Sequence, residues 1–81
     1  MKIQVIEKHI TDGKRGSCTH DPVALSLLDA GFQKPWVSPG YLAWRFENKD
    51  YFQAIPENVL EFMKQFDNGQ LVYPFDFEVD G

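Results

Sequence analysis

The residues best equipped for chemistry in this chain lie between His9 and Asp21. Lys14 and Arg15 stand between Gly13 and Gly16, followed by Ser17, shortly before a helix start at Asp21-Pro22. Free N–H groups and the macrodipole at a helix N-terminus favour anions, which makes Lys14, Arg15, Gly16 and Ser17 a candidate site for a phosphate, nucleotide or other small ligand. The glycine, four residues, Gly-Lys-Ser/Thr order of a Walker A loop is absent, and Asp21 already places negative charge at the cap. An ordinary surface loop is the first expectation and ligand binding the alternative.

Cys18, His20 and His9 carry the other reactive atoms of this stretch. A structural zinc site takes four ligands, and the Cys-x-His spacing of Cys18 and His20 supplies two, so no metal and no cofactor are expected. A nucleophile and base drawn from the same residues would lack an oxyanion-hole motif. Cys18 is expected to be a small packing residue and the two histidines surface polar groups. Glu57 and Glu61 fall on one face of a helix, and Asp76 and Glu78 on one face of a strand, which reads as solvated surface rather than an acid–base pair. An enzyme is not expected.

Trp36, Tyr41, Trp44, Tyr51 and Tyr73 could stack on bases, but a stacking platform comes with interleaved Lys and Arg. Arg45 and Lys49 are the only cations near the 41–55 segment. Direct nucleic-acid binding is therefore not expected; most aromatics should be core, and Tyr41, Tyr51 and Tyr73 suit a protein interface.

These residues must be positioned by few elements, since 81 residues hold one domain with a small core. Ile3 and Val5 alternate with Lys2 and Gln4, predicting a strand over 2–7. Thr11 to Ser17 breaks both periodicities, and 8–19 reads as a loop. Asp21 as N-cap, Pro22 in the first turn and Gly31 as terminator predict a helix over 22–30. Its apolar residues surround most of the circumference, so it needs cover on more than one side; where the sheet and the second helix leave it incomplete, a partner protein or, in a homodimer, a second copy of the chain would complete it. Trp36-Val37 is a short extended piece and Ser38-Pro39-Gly40 a turn. In 41–46, Leu42, Trp44 and Phe46 alternate with Tyr41, Ala43 and Arg45, predicting a strand that a 47–50 connection joins to a second at 51–55. A one-sided amphipathic helix follows over 56–67, closed by Asp67-Asn68-Gly69. The last strand spans 71–79, with Pro74 marking an edge. The expected fold is a single α+β domain over 1–81, two-layered, with two helices on one face of a mainly antiparallel sheet of about four strands.

Charge is unevenly spread. Through Arg45 there are six bases and four acids; from Phe46 onward there are two bases and eight acids, within a net charge of −4. Such an acidic half repels nucleic acid and suits a basic protein surface. No apolar run reaches the roughly 20 residues of a membrane span, and a lone cysteine fits a reducing compartment. The expected location is cytoplasmic.

The stretch His9-Ile10-Thr11-Asp12-Gly13-Lys14-Arg15-Gly16-Ser17-Cys18, then Pro22 to Leu27, Ile55-Pro56 to Gly69 and Pro74 to Phe77, resembles a group of small proteins encoded by bacteriophages and prophages that carry no assigned activity. In similar sequences a cysteine often stands directly before the helix-opening proline, where this chain has Asp21. The resemblance implies a non-enzymatic protein in the host cytoplasm that binds and inhibits a bacterial protein or defence complex, such as an anti-CRISPR inhibitor, or else a virion or assembly accessory protein. Expected contacts are Glu47, Asp50, Glu57, Glu61, Asp76 and Glu78, with Tyr51 and Tyr73 as aromatic anchors.

Overall fold

A computed structural model describes residues 1–80. The chain runs β1 (Lys2–Val5), α1 (Glu7–Asp12), α2 (Pro22–Asp29), β2 (Gln33–Val37), β3 (Tyr41–Phe46), β4 (Lys49–Ala54), α3 (Glu57–Asp67) and β5 (Phe75–Glu78). This is the expected α+β architecture. The strands form two antiparallel sheets, β1-β5 and β2-β3-β4. The first joins the two ends of the sequence, with Ile3 opposite Phe77 and Val5 opposite Phe75.

Local chemistry explains most elements. The Asp21 carboxylate accepts the Ala24 N–H at 2.7 Å, capping α2, and Pro22 fills the first helical position. At the other end Gly31 takes φ +95°, which lets the Phe32 N–H reach Leu27 O and the Gly31 N–H reach Leu28 O. That pair of bonds is a Schellman ending, open to glycine at little cost. Glu47 and Asn48 both have positive φ, 51° and 64°, and Phe46 pairs with Lys49, so a two-residue type I′ turn joins β3 to β4. β4 therefore begins at Lys49, inside the expected connection. Pro74 lies just before β5, whose only strand partner among the described residues is β1, so the proline costs no ladder bond.

The loop expected over 8–19 contains α1. Six residues are too few to show helical periodicity, and a helix this short is unstable alone. Tertiary contacts hold it: α1 packs on α2, and α2 also packs on β1 and β2. Val23, Ala24 and Leu27 are thereby buried, leaving Leu28 as the exposed apolar residue of α2. Most of the cover that the all-round apolar helix required comes from within the chain, from α1, β1 and β2.

The core joins both sheets to α2 and α3 through Ile3, Val5, Leu27, Val37, Leu42, Trp44, Val59, Phe62 and Phe77. Trp44 is its centre on the three-stranded sheet, stacked between Phe32 at 5.5 Å and Tyr51 at 5.9 Å between ring centroids.

Candidate functional site

The glycine-bearing loop ties elements together. The Gly16 N–H donates to an Asp67 carboxylate oxygen at 3.1 Å. Ser17 Oγ accepts the His20 N–H at 3.0 Å, and the Lys14 N–H donates to His20 O at 2.9 Å. The Arg15 guanidinium lies against Gly69, just past the C-terminus of α3, where a cation complements the helix dipole. A Cβ on Gly13 would stand 2.6 Å from the Pro22 ring, so this glycine serves the close approach of α1 to α2. Two carboxylates, Asp21 and Asp67, occupy the ground where an anion would sit. Burial of Asp21 pushes its carboxyl up to about 6, with the neighbouring charge of Asp67 adding to the effect. The Gly16 N–H and the start of α2 are thus already met by carboxylates, Ser17 Oγ is taken by the His20 N–H, and Arg15 turns to the end of α3.

His9 is buried, contrary to its expectation as a surface group. Its Nδ1 accepts the Ile6 N–H at 3.1 Å, doing at the start of α1 what a Glu side chain does in a capping box. Nδ1 being an acceptor, Nε2 carries the proton, and it meets Asp29 Oδ2 at 2.5 Å. Asp29 ends α2, where a carboxylate opposes the dipole, and His9 offsets that. Ser26 lines the same shallow cavity of about 350 Å³ as His9 and Asp29. Its hydroxyl donates to Val23 O at 2.6 Å, and neither nitrogen of His9 is free to activate it. Among the described residues no three His, Cys, Asp or Glu side chains come together as a metal site. Cys18 is half-buried, and its carbonyl accepts the Val37 N–H.

The eight expected contact residues are dispersed. Glu47 and Asp50 lie at the β3–β4 turn, with Asp50 held by Arg45 at 2.9 Å. Asp76 is 3.8 Å from Lys2 Nζ, and Glu78 is 3.5 Å from the Met1 amino group. Glu57 and Glu61 are exposed on α3, beside β5, since Asn58 donates to Asp76 O at 3.0 Å. Glu61 and Tyr73 share a groove of about 380 Å³ floored by Phe62 and Phe75. Tyr51 faces inward on Trp44, so the structure does not offer it as an exposed anchor.

The residue next to Tyr51 is the one that stands out. Phe52 is 80% exposed. It lies opposite Ala43, which lies opposite Trp36, so one row crosses all three strands on the outer face as Trp36, Ala43, Phe52. Tyr41 and Ala54 form the next row, and Gln33, Arg45 and Asp50 the row on the other side. Trp36 and Tyr41 are 43% and 45% exposed. Trp36 was expected among the core aromatics and Tyr41 as a residue suited to a protein interface, while Phe52 was not singled out. Its signal was available: Ala43 alternates outward, and a cross-strand partner shares its face.

No helix among the described residues is long and apolar enough to cross a membrane. Comparison of the chain with protein-family models, with curated proteins and with solved structures finds no match.

Proposed function

We propose that this chain is a non-catalytic binding protein that recognises another protein through the outer face of β2-β3-β4. In the phage setting that the sequence resemblance implies, the partner is a bacterial host protein or defence complex. The supporting observation is the Trp36-Ala43-Phe52 row with Tyr41 beside it. Exposed aromatics gathered on one rigid sheet face supply large contact area at small entropic cost, the character of interface hot spots. The neighbouring Arg45–Asp50 pair supplies the polar rim.

Capture from bacterial lysate with quantitative mass spectrometry tests this. A partner retained by the native chain and lost with Trp36→Ser/Tyr41→Ser supports the aromatic face. A partner lost only with Glu57→Lys/Glu61→Lys/Asp76→Lys moves the contact to the acidic side of α3 and β5. A native chain that retains nothing beyond the double variant overturns the proposal.

A further inference from the structure

The edge of the three-stranded sheet carries a second message. Among the described residues β4 pairs only with β3. With a two-residue turn, Phe46 and Lys49 exchange hydrogen bonds, and the alternation continues through Trp44 with Tyr51 and Leu42 with Gln53. The Ile55 N–H to Gly40 O bond keeps the same phase. The N–H and C=O groups of Asp50, Phe52 and Ala54 consequently point away from β3, and among the described residues no strand pairs with them; the end of β5 is tied to β4 only through the Gln53 side chain, which donates to Glu78 O at 3.4 Å and accepts the Asp80 N–H at 2.7 Å.

Open edges are normally defended by proline, bulges or charge. The opposite edge has these devices: β2 contains Pro35, a register shift between Gln33 and Trp36, and Lys34 at φ +48°. β4 has six regular residues and no proline; its charges, Lys49 and Asp50, stand together at the turn end, Asp50 is paired with Arg45, and a bare Phe52 lies near its centre.

We propose that β4 pairs with β4 of a second copy of this chain, antiparallel about a two-fold axis through Phe52, joining two three-stranded sheets into one. In that register Phe52 meets its own copy, and each Asp50 meets an Ala54, so the free groups of all three residues are satisfied reciprocally. No like charges face each other, and each Asp50 stays neutralised by Arg45 of its own chain. On the other face Tyr51 meets Gln53. Phe52, 80% exposed, is the apolar ring that the pairing brings together with its copy; Trp36 on β2 and Tyr41 on β3 stay outside it on the outer face. The pairing does not depend on what binds the outer face, and it doubles that face into one continuous aromatic row.

Sedimentation equilibrium across the micromolar range tests it. The expected species has twice the 9.4 kDa mass of the chain. Phe52→Lys and Ala54→Pro, the latter removing an N–H that β3 does not use, each raise the concentration for half-dimerisation at least about tenfold. Trp36→Ser, which disables the proposed partner face, leaves the dimer intact. A chain that is monomeric throughout, or a dimer that survives both edge variants, overturns the pairing. Should the edge variants fail to fold, amide hydrogen exchange of the native chain decides: protection at Asp50, Phe52 and Ala54 rises with concentration while that at Tyr51 and Gln53 does not. Equal behaviour of the two sets overturns it.

Discussion

His9 and Asp29 stand 20 positions apart in the chain and 2.5 Å apart across the α1–α2 interface. With Nδ1 on the Ile6 N–H, one imidazole both caps α1 and fastens it to α2. His9→Ala removes both bonds and is expected to cost about 2 kcal/mol in urea denaturation. Asp29→Asn keeps an acceptor for Nε2–H and should cost under ~1 kcal/mol, since Asp29 itself is largely exposed. A loss for His9→Ala no greater than the ~0.5 kcal/mol of an ordinary surface change would mean that α1 is held by something else.

Asp21 makes stability depend on acid in an unusual direction. Its carboxyl is raised from 3.8 to about 6 in the folded chain, so the folded state holds the proton more tightly than the unfolded state. The resulting stabilisation is fully present below about pH 4 and is lost as pH rises through about 6. Its size is on the order of 2–3 kcal/mol. Asp21→Asn keeps the cap acceptor for the Ala24 N–H and removes the titration. The stability of the Asn variant relative to the native chain should therefore improve by that amount between pH 4 and pH 7, as measured by denaturation at each pH. A difference that stays flat would show that Asp21 is not desolvated.

Gly13 belongs to packing. A methyl group there meets Pro22 Cδ and Cγ at 2.6 Å and His9 O at 2.8 Å, and neither a proline ring nor backbone can swing aside. Gly13→Ala is expected to lower stability by about 1–3 kcal/mol, with the cost visible as a lower thermal midpoint. Had this glycine served an anion loop, alanine would have left stability nearly unchanged.

Much of this was legible because it is local. Asp21, Pro22 and Gly31 are short-range signals that bracket α2, and the alternation of Leu42 and Trp44 against Tyr41 and Ala43 marks both faces of β3. What failed to show was non-local. α1 exists through a histidine whose partner lies in the next helix, and nothing within Glu7 to Asp12 announces that. The separation into two sheets depends on Lys2 to Val5 meeting Phe75 to Glu78, from opposite ends of the sequence. The outer aromatic face lies between these cases. Once Ala43 is outward, cross-strand pairing sends Trp36 and Phe52 outward too, but only when the turn is known to have two residues, because a register slip of one reverses every side chain.

That turn stores strain at Glu47. A glutamate at φ +51° carries roughly 1–2 kcal/mol of steric cost that asparagine tolerates better. The Glu47 side chain is exposed and forms no ion pair among the described residues. Glu47→Asn should therefore raise stability by about 0.5–1 kcal/mol. If Glu47 is a partner contact, the same variant weakens capture while melting higher, and the two readouts separate the acidic role from the backbone one.

Tyr51 and Phe52 are neighbours with opposite assignments. Tyr51 stacks on Trp44 within 11° of parallel and supports the core from the end of the Phe32-Trp44-Tyr51 stack. Phe52 touches the core nowhere and is 80% exposed. Tyr51→Ser should cost about 1–2 kcal/mol through lost stacking and burial, whereas Phe52→Ser should change the stability of the monomer by no more than ~0.5 kcal/mol. Assembly should respond the other way round: at protein concentrations where the native chain pairs, Phe52→Ser lowers the apparent midpoint by removing the linkage to dimer, and Tyr51→Ser retains the concentration dependence. Thermal melts at two widely spaced concentrations read both effects at once. A concentration-independent midpoint for the native chain would leave Phe52 to a different protein.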